Sequence, residues 1–282
     1  MADISPAPRS VVDLIRAGTL DAGLAAILWM LIEARIPLIV AAGNQGDGKS
    51  TLLDALLEFL PPGIRRVELA GSVETFDWLP QASELGWPGK ARAAVDATVR
   101  PDSTVLIAPE LSERLPTCTW GERARIAVRA TSISFGLATT MNADSLAQAF
   151  DSLCRPPVSL TTDELSYLGC VVILQRLDDG RRRVVAAHYV RPILNDVHGH
   201  TQRMAPALLA TWDPGQDRFE HFGWGITPEL AFRVGKRSGD FELEVERRRA
   251  FLDGLVVAGA AGVDDVRSAL GRFLAGRTSD AR

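Results

Sequence analysis

The octapeptide Gly43-Asn44-Gln45-Gly46-Asp47-Gly48-Lys49-Ser50, followed by Thr51, fits the pattern Gly-x-x-x-x-Gly-Lys-Ser/Thr in full. It stands between an apolar run, Ile36-Pro37-Leu38-Ile39-Val40-Ala41-Ala42, and a stretch in which Leu52, Leu53, Leu56, Leu57 and Leu60 recur at helical spacing. A short apolar run of this kind suits a strand buried on both faces. A strand that feeds a glycine-rich turn into a helix is the context in which this pattern binds phosphate. Glycines let successive N–H groups turn inward onto phosphate oxygens, and the helix N-terminus adds partial positive charge. Lys49 is expected to bridge the β- and γ-phosphates, and the Ser50 hydroxyl to ligate Mg²⁺. Lys49 is one of only three lysines among 31 basic residues, and it stands where a compact ammonium rather than a planar fork is wanted. The expected ligand of residues 43–51 is ATP with Mg²⁺.

The surrounding pattern predicts a mainly parallel α/β sheet. Helices are expected over 20–34, from Ser50 to the Pro61-Pro62-Gly63 stop, and over 120–131 and 145–153. Strands are expected over 36–42, 65–70, 104–108, 134–141, 170–176 and 184–190. The last two flank Asp178-Asp179-Gly180, a hairpin signal that implies an antiparallel edge. Strand and helix alternate up to residue 153, as in a P-loop NTPase with a RecA-like sheet flanked by helices. Residues 241–255 alternate like a strand at first, yet Phe251, Leu252 and Leu255 favour a helix. Val263, Val266, Leu270, Phe273 and Leu274 mark a closing amphipathic helix. The expected organisation is a core over 1–222 with a short helical lead-in, and a C-terminal helical subdomain over 223–282.

Composition narrows the function. A net charge of −4 supplies no global basic field, so nucleic acid is not an expected partner. The runs Arg181-Arg182-Arg183 and Arg247-Arg248-Arg249 are expected to be solvated faces, with a phosphate or subunit contact as the alternative. Cys118, Cys154 and Cys170 lack metal-pair spacing and read as buried thiols of a reducing compartment. The longest uncharged apolar run, 22–32, falls short of the roughly 20 residues that span a bilayer. Met1 through Ser10 has no apolar signal core. A cytoplasmic protein without membrane insertion is expected.

A phosphate loop of this type needs further acids. Glu110, just beyond Val105-Leu106-Ile107-Ala108, is the candidate Mg²⁺ holder through water, together with Ser50. Glu74, after Val67-Glu68-Leu69, is the candidate base that orients an attacking water. The catalytic candidates are therefore Lys49, Glu74 and Glu110.

Several stretches resemble the motor ATPases of type II and type IV secretion, type IV pili, Tad pili and archaeal surface filaments. The resemblance runs from about Leu14 to the C-terminus. Leu28-Trp29-Met30-Leu31-Ile32-Glu33 is similar to the family's Leu-Trp…Ile-Glu helix, and Phe59-Leu60-Pro61 to its Phe-Ile-Pro. Ala70-Gly71-Ser72-Val73-Glu74 stands at the acidic box, keeping the last acid and losing the first two. Arg100-Pro101-Asp102 and Pro109-Glu110 resemble the Arg-Pro-Asp…Gly-Glu box, with proline in place of glycine. Ala138-Thr139-Thr140-Met141-Asn142-Ala143-Asp144 stands where the family reads Thr-Thr-x-His-Ala-Asn, so Asn142 takes the histidine position. Asn142 can hydrogen-bond to a γ-phosphate but cannot carry charge.

The resemblance implies an ATP-hydrolysing motor subunit, slow because its boxes are eroded. It also implies a hexameric homo-oligomeric ring acting on an inner-membrane platform protein, peripheral to the inner face of the membrane. The family's N-terminal domain is expected to be absent here, and a separate chain is a candidate to supply it. An ATP-binding regulatory or scaffold subunit without turnover is the alternative from a different class. A small-molecule kinase would need a lid arginine cluster, whereas the tail offers a hairpin and helices. Arg100, Arg155 and Arg176 are candidate γ-phosphate or subunit-interface arginines. Asp196 and His198-Gly199-His200 have metal-like composition but lack further ligands at known spacing. His188 and His221 are expected on strands or the surface, and Trp78, Trp87, Trp212 and Trp224 in buried packing.

Overall fold

The computed structural model describes residues 9–89, 99–195, 200–260 and 262–280. Its first half comprises α1 (Val11–Arg16), α2 (Ala22–Glu33), β1 (Leu38–Ala42), α3 (Lys49–Leu57), β2 (Arg65–Glu68), β3 (Thr104–Leu111), α4 (Glu122–Ala130), β4 (Gly136–Asn142) and α5 (Leu146–Cys154). The second half comprises β5 (Cys170–Arg176), β6 (Arg182–Tyr189), the short pair β7 (Leu194–Asn195) and β8 (Thr201–Gln202), β9 (Ala207–Asp213) and β10 (Arg218–His221). Helices α6 (Thr227–Arg233), α7 (Ser238–Val257) and α8 (Val263–Asp280) follow.

Eight strands form one sheet in the order β10-β9-β6-β5-β1-β4-β3-β2. From β5 to β2 neighbours run parallel, and β6, β9 and β10 continue antiparallel. This is an α/β P-loop architecture, as expected. The antiparallel part is wider than one hairpin, because β9 and β10 form a second hairpin that the sequence pattern does not announce. Strand β1 lies between β5 and β4 with every residue buried. Leu38, Val40 and Ala42 enter one core cluster; Ile39 and Ala41 enter the other. Side-chain alternation along a strand produces this two-sided burial. Helices α1, α2, α3, α7 and α8 contribute to the first cluster, and α4, α5 and the 69–87 segment to the second.

Helix α2 is apolar and buried along almost its whole length, with α7 and α3 packed against it. Asp21 caps it by accepting from the Leu24 N–H at 2.8 Å, and its second oxygen meets His221 Nε2 at 2.7 Å. Burial opposes ionisation of Asp21, but the bonds from His221 and Leu24 prevail and hold the carboxyl below its usual range. The helix ends where Arg35 turns left-handed at φ 59° and Ile36 N–H closes on the Leu31 carbonyl.

Within this layer Trp29 stacks on Phe59 with ring centroids 4.7 Å apart, and Phe273 of α8 tilts against it. Arg248 of α7 lies over the Trp29 ring and is fully buried. It donates to Glu33 at 2.6 Å and to Glu244. The middle arginine of the 247–249 run is therefore an internal clamp between α7 and α2, not part of a solvated face. The apparent strand pattern of 241–246 is helical, since Phe241, Val245, Arg248 and Leu252 recur along one side of α7. Cys118 and Cys170 are buried, the Cys170 thiol being pushed up to about 12 by burial, while Cys154 is half-buried. Trp224 departs from its expected place: it is 77% exposed. Among the described residues no helix is long and apolar enough to cross a membrane.

Two stability measurements follow from these contacts. Arg248→Met removes the cation shared by Glu33 and Glu244 and should lower the unfolding free energy in urea by about 3 kcal/mol; unchanged stability would contradict the clamp. Asp21→Ala should cost about 1 kcal/mol at neutral pH through loss of the cap. Because the folded-state pKa is depressed, this contribution is complete above the unfolded carboxylate value of about 3.9. The deficit should shrink as pH falls through the folded value.

Candidate phosphate-binding site

The buried end of β1 delivers the chain to the sheet's carboxyl edge, where it turns through residues 43–48 into α3. Gly46 and Gly48 take φ of 85° and 97°, which only glycine adopts without strain. The Asp47 carboxylate accepts from the Asn44 N–H at 2.9 Å and closes the loop. Gly48 is the N-cap of α3 and offers no side-chain acceptor to the helix's first N–H groups. Of the loop, Gln45, Gly46 and Gly48 line a cavity of about 660 Å³ together with Lys49, Ser50, Thr51 and Glu110. Uncapped helix donors and a lysine at such a cavity can hold a polyphosphate.

Lys49 is 6% exposed. Its Nζ donates to Asn142 Oδ1 at 2.6 Å and to the Asn44 carbonyl at 3.2 Å, and lies 3.9 Å from Glu110 Oε2. Asn142 Nδ2 donates to Glu110 Oε1 at 3.1 Å, closing a Lys49–Asn142–Glu110 triangle. Burial draws the ammonium below its usual range; Glu110 and Asp47 oppose that. The triangle forms because β1, β4 and β3 are adjacent and end together. Strand β3 pairs with β4 through Ala108 opposite Thr139 and then Leu111 opposite Met141, leaving one extra residue at Pro109-Glu110. Proline has no ladder N–H to lose, so a bulge is tolerated there. The Thr140 hydroxyl donates to the Pro109 carbonyl at 2.8 Å.

Glu74 is placed differently. Its Oε2 accepts from the Ala70 N–H at 2.8 Å, and its Oε1 from the Thr75 and Phe76 N–H groups and from Trp78 Nε1 at 2.9 Å. Arg123 Nε donates to its backbone carbonyl. The side chain is buried in its own turn and does not line the cavity. Arg100 and Arg155 are exposed partners of Asp102 and Asp151, and neither they nor Arg176 line the cavity. Trp78 serves Glu74, and Trp87 donates to Asp77 Oδ1. Among the described residues no acidic, histidine or cysteine cluster could hold a metal; Asp196 and the His198-Gly199 pair lie outside them.

Sequence reasoning missed the β5–β6 hairpin as part of this site. Asp179, Gly180, Arg181 and Arg182 also line the cavity. Arg183 is buried, bonded to Asp217 and to the Ala17 carbonyl, so the 181–183 run is not a solvated face either. The signal available in sequence was the run's position immediately after the hairpin turn.

No family model matches the chain. It is 24% identical over 258 residues to an uncharacterised protein of Methanocaldococcus jannaschii, covering 86% of this chain and 90% of that protein. A second uncharacterised protein of that organism is 22% identical over 265 residues, covering 88% of this chain and 46% of that protein. Among solved structures it is similar to the VirB11 ATPase from the Brucella suis type IV secretion system, in complex with sulphate. The two are 21% identical, with a TM-score of 0.41, over 63% of this chain and 54% of that one. The chain is also similar to the Legionella pneumophila ATPase DotB, at 15% identity and a TM-score of 0.31, over 87% of this chain and 63% of that one. This chain therefore spans less than two thirds of either ATPase.

Gly48→Ala tests the loop geometry. A Cβ there would sit 2.8 Å from Arg182 Cδ at a positive φ, and the left-handed conformation alone should cost about 1–2 kcal/mol. Equal stability of variant and wild type in chemical denaturation would contradict this loop conformation.

Proposed function

We propose that the chain binds Mg-ATP at residues 43–51 and hydrolyses it slowly, as the motor subunit of a type II/IV secretion or pilus-like assembly system. The observation that carries the reading is the Lys49–Asn142–Glu110 triangle beside an uncapped helix N-terminus. In this reading Gly43, Asn44, Gln45, Gly46, Asp47 and Gly48 wrap the phosphates and Lys49 neutralises them. Ser50 and Glu110 hold Mg²⁺, Glu110 through water, and Asn142 senses the terminal phosphate. A bound Mg²⁺ would supply charge neutralisation at the phosphates. The motor part rests on the sequence resemblance: a hexameric ring, an inner-membrane platform protein as partner, and a location at the inner face of the membrane.

A second reading, an ATP-binding scaffold without turnover, is favoured by one observation. The Glu74 carboxylate is committed to four donors of its own turn, away from the cavity. For Glu74 to orient water, that turn has to open.

Titration calorimetry with Mg-ATP should give saturable heat for the wild type and none for Lys49→Ala. Slow turnover that disappears in Glu74→Gln, with binding intact, is the expected result for the motor; tight binding with no wild-type turnover would replace it with the scaffold. Glu110→Gln should weaken the Mg²⁺ dependence of binding while leaving the metal-free component in place.

A further inference from the structure

Arg182, the first residue of β6, lies against the phosphate loop. Its stem packs on Gly48, where an added Cβ would fall 2.8 Å from Cδ. Its Nε donates to the Asp47 carbonyl at 2.8 Å and its Nη2 to the Gly46 carbonyl at 3.2 Å. A trans peptide points its C=O and its N–H to opposite sides. The unit that carries the Gly46 carbonyl also carries the Asp47 N–H, and the unit that carries the Asp47 carbonyl also carries the Gly48 N–H. A fork that holds both carbonyls on its own side thereby directs both N–H groups away from itself.

The loop needs such a constraint. Gly46 has nothing within 4 Å of an added Cβ, and both it and Gly48 sit at positive φ. Glycines retain the most backbone freedom to lose, so the glycine flanking each of these peptides offers little resistance to its rotation. The base of the fork is stiff. Alternation along β6 puts Arg183 on the other side, where it is buried and bonded to Asp217 and to the Ala17 carbonyl. Arg181 on the turn side joins Asp179 and Asp217. Three consecutive arginines thus tie the loop, the β9–β10 turn and the end of α1 to one strand start.

We propose that Arg182 is a positioning residue that clamps the Gly46 and Asp47 carbonyls and so pre-organises the Asp47 and Gly48 N–H groups for the phosphates of a nucleoside di- or triphosphate. This rests on the reading that residues 43–51 bind phosphate. The clamp acts on the loop, not on the terminal phosphate, so it favours Mg-ADP and Mg-ATP alike. It requires two donors in fixed geometry, which arginine has and lysine lacks.

The test uses the full chain and calorimetry with Mg-ADP and Mg-ATP. Arg182→Met, which keeps the stem, should weaken both nucleotides by the same factor, about tenfold. Amide exchange at Asp47 and Gly48 should rise in the nucleotide-free variant. Arg182→Lys, which keeps stem and charge, should lose most of the same affinity, and it answers the question if the methionine variant does not fold. Wild-type affinity in either variant would overturn the clamp, as would a loss for Mg-ATP that far exceeds the loss for Mg-ADP. A wild type that binds neither nucleotide would remove the phosphate-binding reading itself and the clamp with it. Binding unchanged by Arg182→Met would remove the clamp alone.

Discussion

A lysine ammonium sits almost fully enclosed at the head of α3, and the site is organised around its neutralisation. Taking the charge out of water is unfavourable unless it is hydrogen-bonded and paired. Asn142, the Asn44 carbonyl and Glu110 supply those contacts from three segments that meet only because β1, β4 and β3 are neighbours. The loop must therefore stay at the carboxyl edge of this sheet, and the Pro109-Glu110 bulge must stay where it aims the carboxylate. The same requirement accounts for a strand buried on both faces, since it anchors the loop between two packed layers.

Much of this was legible in the residues because it is encoded locally. The run 36–42, the glycine loop and the leucine periodicity of α3 are contiguous, and each predicts its own backbone state. The parallel half of the sheet followed from alternating strand and helix patterns. Strands β9 and β10 were not legible. Ala207–Asp213 and Arg218–His221 mix polar and apolar residues without clean alternation, and their pairing is decided by β6. The arginine runs misled for a related reason. Arg182 finds Asp47 and Arg248 finds Glu33 across 135 and 215 positions, a separation that no local pattern conveys.

Glu74 shows the same limit from the opposite side. Its position after a strand suggested an acid facing the nucleotide. The turn from Ala70 to Trp78 instead folds its donors onto the carboxylate, and Arg123 holds the backbone behind it. Donors bonded to an ionised acid are each worth roughly 1.5–3 kcal/mol, so withdrawing Glu74 from its turn is a substantial step. The proposed phosphate binding and the proposed hydrolysis thus rest on separate structural grounds. The first depends on a loop, a lysine and its triangle; the second depends on whether a stable turn opens.

The most direct test of the central claim is a crystal structure of the full chain grown with Mg²⁺ and a non-hydrolysable ATP analogue. Phosphate density should be enclosed by the backbone amides of residues 46–50, with Lys49 Nζ moved from Asn142 Oδ1 onto a phosphate oxygen. Analogue density elsewhere on the molecule, with Lys49 still bonded to Asn142, would contradict that claim.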